Sequence, residues 1–275
     1  MSLHEQRIGF LGAGAMATAL AGGLLKAGVP RERLAAADPD PGQREALARV
    51  LGVAVLERNG DLVARSDVVV LAVKPGVVAG LLAGLGGAGA SALARPLWIS
   101  IAAGIPLARL EAGLPAGARV VRAMPNTPAL VQAGATALCA NRHAGPGDRA
   151  AARALFESVG LAWEAPEEPL LDAVTGLSGS GPAFFFLMLE ALAEAGAEQG
   201  LPRAVALRLA CQTALGAARL ALESGREPAE LRAQVSSPGG ATLAGLARLE
   251  ARGFRAAIAE AVAAATARSR ELGRA

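Results

Sequence analysis

The 275-residue sequence has no tyrosine, two histidines, two cysteines and only two lysines, Lys26 and Lys74. Without tyrosine, the Tyr–Lys proton relay of short-chain dehydrogenases cannot be assembled. His4 precedes the first apolar run. His143 sits in the polar loop Asn141-Arg142-His143-Ala144-Gly145, where a solvated residue is a simpler reading than a general acid. Cys139 and Cys211 make neither a disulfide framework nor a metal site, because no second ligand lies at metal spacing. No Ser–His–Asp set can be built. The opening Met1-Ser2-Leu3-His4-Glu5-Gln6 lacks a basic segment followed by an apolar one, so no secretory signal is expected and the expected location is cytoplasmic.

A large excess of charge of one sign is also absent, with 27 Lys and Arg against 24 Asp and Glu. The formal net charge of +3 is small and dispersed, which argues against a nucleic-acid partner. Hydrophobic residues are 53 % of the chain but aromatics only 3 %, so the apolar content is mostly Ala, Leu and Val, suited to closely packed helices. Pro75 to Ala94 carries no charge over a length that could cross a membrane. It contains six glycines and follows a strand-like run, so it reads as a crossover helix plus a loop, and no membrane association is expected.

What is present begins with Arg7-Ile8-Gly9-Phe10-Leu11, a short buried strand, then Gly12-Ala13-Gly14-Ala15-Met16-Ala17 and a helical run to Ala27. Strand, glycine turn and helix in that order form a dinucleotide fingerprint of the GxGxxA type. Gly12 allows the tight turn, Gly14 lets the backbone approach a pyrophosphate, and Ala17 permits close helix–strand packing. Further strands are expected at 34–37, 68–73, 97–101, 120–123 and 135–140, with helices near 16–27, 43–51, 77–85 and 107–112. That alternation predicts a mostly parallel sheet covered by helices, with ligands at the carboxyl ends of the strands. Beyond the acidic, proline-bearing stretch 164–169, every segment reads as helix. The expected organisation is α/β: a Rossmann-like dinucleotide-binding domain over 1–164, then an all-α domain over 165–275.

The stretch Val235-Ser236-Ser237-Pro238-Gly239-Gly240-Ala241-Thr242 runs straight into a helical pattern from Leu243. Pro238 fixes one turn residue and the two glycines free the next. The first amides of the following helix lack internal partners and sit at the positive end of its dipole, which suits a carboxylate or phosphate. Taken alone, the same residues could be a capped helix after a tight turn. A second glycine motif, Gly176-Leu177-Ser178-Gly179-Ser180-Gly181-Pro182, has the spacing used by beta-hydroxyacid dehydrogenases. Where those enzymes carry a catalytic lysine, four residues past the last glycine, this chain has Phe185. A reductant site, an anion seat and almost no acid–base groups fit reduction of a cyclic imine. A protonated imine accepts hydride without a strong protein acid.

Five blocks then carry a specific resemblance: Ile8–Leu20; Val70-Leu71-Ala72-Val73-Lys74-Pro75; Met124-Pro125-Asn126-Thr127-Pro128-Ala129-Leu130; Asp172 through Ala183; and Ser237–Thr242. The chain resembles the pyrroline-5-carboxylate reductases, which catalyse the last step of proline biosynthesis. The resemblance implies NADPH or NADH as cofactor, an imine carboxylate as substrate, and a helical domain that forms a dimer or higher homo-oligomer. It places Gly12, Gly14, Ala15 and Met16 along the pyrophosphate, and Asn59, Val73, Lys74 and Ala103 along the ribose and nicotinamide. Ser237, Gly239, Gly240, Ala241 and Thr242 would seat the substrate, with Glu168 and Gln234 as further contacts and Thr242 as a positioning group and proton path. Ala15 stands where many members have a polar residue. Asp38 ends the second strand, where an acid favours a free ribose hydroxyl over a phosphate, and Arg44 lies close enough in sequence to offset it. The competing readings are a related imine or beta-hydroxyacid reductase, and a non-catalytic NADP-sensing dimer.

Overall fold

A computed structural model describes residues 3–274, except for the side chain at position 88, so the first two residues of the opening segment lie outside it. Strand β1 (Ile8–Leu11) is four buried residues without polar alternation, the pattern of a strand covered on both faces. Helix α1 (Ala15–Lys26) follows the glycine turn. Then come β2 (Leu34–Ala37), α2 (Pro41–Leu51), β3 (Ala54–Leu56), α3 (Asn59–Arg65), β4 (Val68–Leu71), α4 (Val78–Gly84) and α5 (Ala90–Ala94). The sheet is completed by β5 (Leu97–Ser100), α6 (Leu107–Ala112), β6 (Arg119–Met124), β7 (Gly134–Ala140), α7 (Pro146–Glu157) and β8 (Gly160–Glu164). Local chemistry sets the ends. In α2, Asp40 accepts the Gly42 amide at 2.8 Å, Pro41 occupies the first turn, and Gly52 closes the helix at φ 66°.

The eight strands pair in the order β3-β2-β1-β4-β5-β6-β7-β8. β1 to β6 are parallel, β7 is antiparallel to β6, and β8 is parallel to β7. The period of two is plain in β4. Val68 and Val70 join a core layer with Phe10, Leu20, Leu24 and Phe156, while Val69 and Leu71 join the opposite layer with Leu62, Trp98 and Leu110. The Trp98 indole N–H donates to Leu93 O at 2.9 Å, so the largest buried side chain is also satisfied in hydrogen bonding. The uncharged stretch from Pro75 is broken into α4, α5 and short 3-10 turns, as its glycines imply.

The rest is helical: α8 (Leu170–Val174), a π turn (Thr175–Gly179), α9 (Gly181–Glu198), α10 (Arg203–Ser224), α11 (Pro228–Gln234), α12 (Ala241–Ala251) and α13 (Phe254–Arg274). The fold is therefore the α/β arrangement expected, with a Rossmann-like sheet first and helices after. The chain forms two compact units, 1–180 with 263–275, and 181–262. That division does not fall at 164/165. Leu171 of α8 is fully buried in the core of the first unit, and Thr266 and Ser269 of α13 are buried as well. In the second unit, α9 and α10 pack together, yet Phe185, Phe186, Leu187, Leu192, Leu215 and Leu222 are exposed. The segments 170–198 and 203–224 are long and apolar enough to cross a membrane by length and composition.

Candidate active site

The glycine turn is built as its sequence requires. Gly12 has φ +104°, and a Cβ there would lie 2.5 Å from the Ala72 carbonyl oxygen, so a side chain is excluded. Gly14 is the N-cap of α1 in extended conformation, with no side-chain cap and no atom within 4 Å of a Cβ position. Its open side and the uncapped first amides of α1 leave room and donors for a pyrophosphate. Ala15 is exposed there and Met16 half-buried.

The remaining cofactor candidates arrive at the same end of the sheet because the ladder continues past the strands. Gly12 N–H donates to Ala37 O at 2.8 Å, Ala72 N–H to Leu11 O at 2.8 Å, and Ile101 N–H to Leu71 O at 3.2 Å. The turns after β1, β2, β4 and β5 thus lie side by side, bringing Asp38, Val73, Lys74 and Ala103 to one edge. Asn59 opens α3 just past β3. An apolar cavity of about 800 Å³ opens beside Pro75 and Ile105, and Arg109 is its one charged lining residue.

Asp38 is not free. One carboxylate oxygen accepts the Ala13 amide and the other the Asp40 amide, both at 2.9 Å. Arg44 is committed too, donating to the carbonyls of Asp38 at 2.8 Å and Pro39 at 3.1 Å, and pairing with Glu57 at 3.3 Å. The acid thus fastens the second turn to the glycine turn.

In the second unit, Gly240 N–H closes onto Ser237 O at 3.0 Å, with Pro238 and Gly239 between them and Gly239 at φ +71°. This is the geometry of a type II turn, which needs a left-handed residue in its third position. A Cβ on Gly240 would meet Ser237 Oγ at 2.6 Å. Gly240 caps α12 without a side-chain hydrogen bond, so the amides of Ala241, Thr242 and Leu243 form an uncapped helix start. Ala241 and Thr242 are exposed, and Gln234 ends α11 on the other side of the turn. Glu168 is grouped differently, in the first unit. Its Oε1 accepts the Leu107 amide and the Arg122 guanidinium, each at 2.8 Å.

Other expectations for reactive groups resolve simply. His143 is exposed beside the Arg142 guanidinium. Burial pushes the Cys139 thiol pKa up, and the Glu168 charge adds to it, so the thiolate nucleophile is disfavoured. Among the described residues, no cluster of His, Cys, Asp and Glu could hold a metal ion. Asn126 was legible only as part of a block. It bridges the chain, donating to Ser178 O at 3.0 Å and accepting from Ala135 N–H at 2.8 Å. Arg122 was missed, although a lone arginine inside Val120-Val121-Arg122-Ala123 is itself a signal, because a buried cation requires a partner.

Comparison with known proteins bears on the same two parts. The family model for pyrroline-5-carboxylate reductase dimerisation matches residues 168–272, and that for NADP oxidoreductase, coenzyme F420-dependent, matches residues 7–104. The chain is 47 % identical to the pyrroline-5-carboxylate reductase of Pseudomonas aeruginosa over 271 residues, 98 % of each chain. It is 43 % identical to human pyrroline-5-carboxylate reductase 2 over 270 residues, 96 % of this chain and 83 % of the human one. Among solved structures, the pyrroline-5-carboxylate reductase of Coxiella burnetii superposes with a TM-score of 0.91 at 36 % identity, covering 97 % of this chain and 98 % of that one. The NADP-bound pyrroline carboxylate reductase of Plasmodium falciparum gives 0.87 at 31 %, covering 99 % and 100 %. With a dinucleotide turn, an uncapped helix start after a Pro-Gly-Gly turn and relatives matched end to end, the chain belongs to the pyrroline-5-carboxylate reductase family.

Proposed function

We propose that the protein reduces 1-pyrroline-5-carboxylate to L-proline with NADPH or NADH as reductant. The observation that carries the reading is the turn at Pro238-Gly239-Gly240, which presents the first amides of α12 without a cap. The substrate carboxylate is seated on the amides of Ala241 and Thr242, where the helix dipole favours a negative charge. Ser237, Gly239 and Gly240 shape the turn, and Gln234 borders it. The Thr242 hydroxyl, in the first turn of α12, hydrogen-bonds the ring nitrogen or the carboxylate and fixes the orientation of the imine. It is a poor acid near neutral pH, so its role is placement and a proton path. The imine nitrogen is protonated before reduction, which leaves its carbon electrophilic.

Gly12, Gly14, Ala15 and Met16 hold the dinucleotide pyrophosphate at the start of α1, and Asp38, Asn59, Val73, Lys74 and Ala103 line the rest of its course. When bound, the nicotinamide supplies the hydride that reduces the C=N bond. The chain's own contribution is orientation and electrostatics, consistent with a sequence that has no tyrosine and only two histidines.

The second unit serves self-association and the substrate seat, the first the dinucleotide. Covering one large apolar side chain stabilises by roughly 1.5–3 kcal/mol, so the exposed leucines and phenylalanines of α9 and α10 can offset an association cost of about 4–15 kcal/mol. A second copy of the chain, rather than a membrane or nucleic acid, covers them, and the protein works in the cytoplasm. The test is a coupled assay with purified protein, synthetic 1-pyrroline-5-carboxylate and each reduced cofactor, with proline quantified as product. Cofactor binding without any proline formed would instead fit a sensor.

A further inference from the structure

Ala103 lies in the turn between β5 and α6, and that turn is held at both sides by residues distant in sequence. On one side, Glu168 Oε1 accepts the Leu107 amide, the first of α6, at 2.8 Å. The same oxygen accepts Arg122 Nη1 at 2.8 Å, and the Arg122 side chain is only 7 % exposed. Behind it, Arg122 Nη2 lies 3.8 Å from Asp172 Oδ1, which also accepts the Ser269 hydroxyl at 2.7 Å. On the other side, Gly104 has φ +73°, and a Cβ there would stand 3.0 Å from Leu272 Cβ. The turn is thus clamped between the acidic junction after β8 and the end of α13.

We infer that Glu168 and Arg122 are positioning residues for the cofactor turn that carries Ala103. The inference rests on the reading that Ala103 borders the dinucleotide. Glu168 caps a six-residue helix that is too short to fix its own start, and a nearly buried guanidinium holds the carboxylate in place. Without the carboxylate, the Leu107 amide loses its cap and Arg122 is left as a buried cation with only a distant partner, so the turn relaxes. A loose turn widens the cofactor site but leaves the amides of α12 intact.

The test compares Glu168→Ala, Glu168→Gln and Ala103→Leu in the full-length protein. Thermal melting is recorded for each, NADPH affinity is measured by fluorescence titration, and steady-state constants are determined for both substrates. Glu168→Ala should weaken NADPH binding about tenfold, with KM for the imine within about twofold of wild type. Glu168→Gln keeps an acceptor for the Leu107 amide but not the charge that faces Arg122, so its NADPH affinity should fall between those of Glu168→Ala and wild type. If Glu168→Ala does not fold, Glu168→Asp reads the same geometry, because it keeps the charge and shortens the reach by one methylene. A rise confined to the imine KM overturns the inference, as does unchanged NADPH affinity in a variant that folds. Ala103→Leu separates the two readings. If it leaves NADPH affinity intact, Ala103 does not border the cofactor and the inference falls with that reading. If it weakens binding while the Glu168 variants do not, only the inference falls.

Discussion

The Asp38 carboxylate holds the Ala13 amide at 2.9 Å, which joins the end of β2 to the centre of the glycine turn. This bond sets what the acid can do for cofactor choice. Asp38→Ala removes the tie and should weaken NADH and NADPH together, by roughly 3- to 10-fold for a hydrogen bond worth about 1 kcal/mol. Asp38→Asn keeps an acceptor and removes the charge, so the ratio of kcat/KM values should move toward NADPH. Parallel kinetics with both cofactors check this. A ratio that stays put in Asp38→Asn means that the charge is not felt at the ribose.

The two glycines of the turn should separate binding from folding. Gly12→Ala forces a Cβ into the Ala72 carbonyl at a positive φ, and should lower the melting temperature at a cost of about 1–3 kcal/mol or more. A Cβ at Gly14 has no protein atom within 4 Å, so Gly14→Val should melt within a few degrees of wild type, since an altered N-cap costs only about 1 kcal/mol. Its branched side chain would nevertheless stand in the pyrophosphate path proposed above, so NAD(P)H affinity should collapse in fluorescence titrations. Retained affinity would remove the fingerprint from the mechanism.

Thr242→Ala should cut kcat/KM for the imine by about one to two decades, the range of a lost oriented hydrogen bond. Thr242→Ser should retain most activity, and neither variant should change cofactor affinity. Steady-state kinetics beside cofactor titration give the comparison. A wild-type rate in Thr242→Ala would leave the turn as a helix cap and nothing more.

Leu187 is 67 % exposed on α9 between the exposed Phe186 and the half-buried Met188. Light scattering at micromolar concentration should find the wild-type protein as a dimer or larger. Leu187→Glu should shift it toward the mass of one chain, because a carboxylate in a covered apolar face goes unpaired. A wild-type protein found only as a monomer contradicts the assembly proposed for α9 and α10.

Arg7 grips Asp67 through its amide and its guanidinium, at 2.9 to 3.2 Å. This hydrogen bonding holds the Asp67 carboxyl below the usual aspartate range. A carboxylate lowered in the folded state contributes stability that is present above its unfolded pKa and lost as pH falls through the folded one. Asp67→Asn should therefore destabilise the protein at neutral pH and narrow the gap to wild type at about pH 3. Urea unfolding at the two pH values reads the difference. An equal gap at both means that the pair adds nothing.

The strand–turn–helix at the N-terminus was legible because apolar runs and glycines sit within a few residues of one another. The helices from Leu170 onward were legible for the same local reason. β3 was missed because it is three residues long and begins on the exposed Ala54. β8 is an edge strand with Leu161 and Trp163 facing solvent, so it lacks the buried run that marked the other strands. α7 was hidden by alanines, which blur the contrast between faces that a helical period needs. The hydrogen-bond partners of Asp38 and Glu168 were out of reach for a different reason. Their partners lie 25 and 61 residues away, and no local pattern encodes a hydrogen bond over that separation.

The last residues of the chain belong to its first unit. Thr266 and Ser269 are buried there, and Leu272 backs the Gly104 turn. During synthesis the sheet can form early, but its final wall, the end of α13, is made only after the helical unit 181–262. The nascent dinucleotide unit must therefore wait, with the Asp172 and Gly104 surfaces uncovered, while the whole helical insert is made. Loss of the last turns of α13 would spare the glycine turn and α9 to α12, yet leave Asp172 without its Ser269 partner and the Gly104 turn without Leu272 behind it.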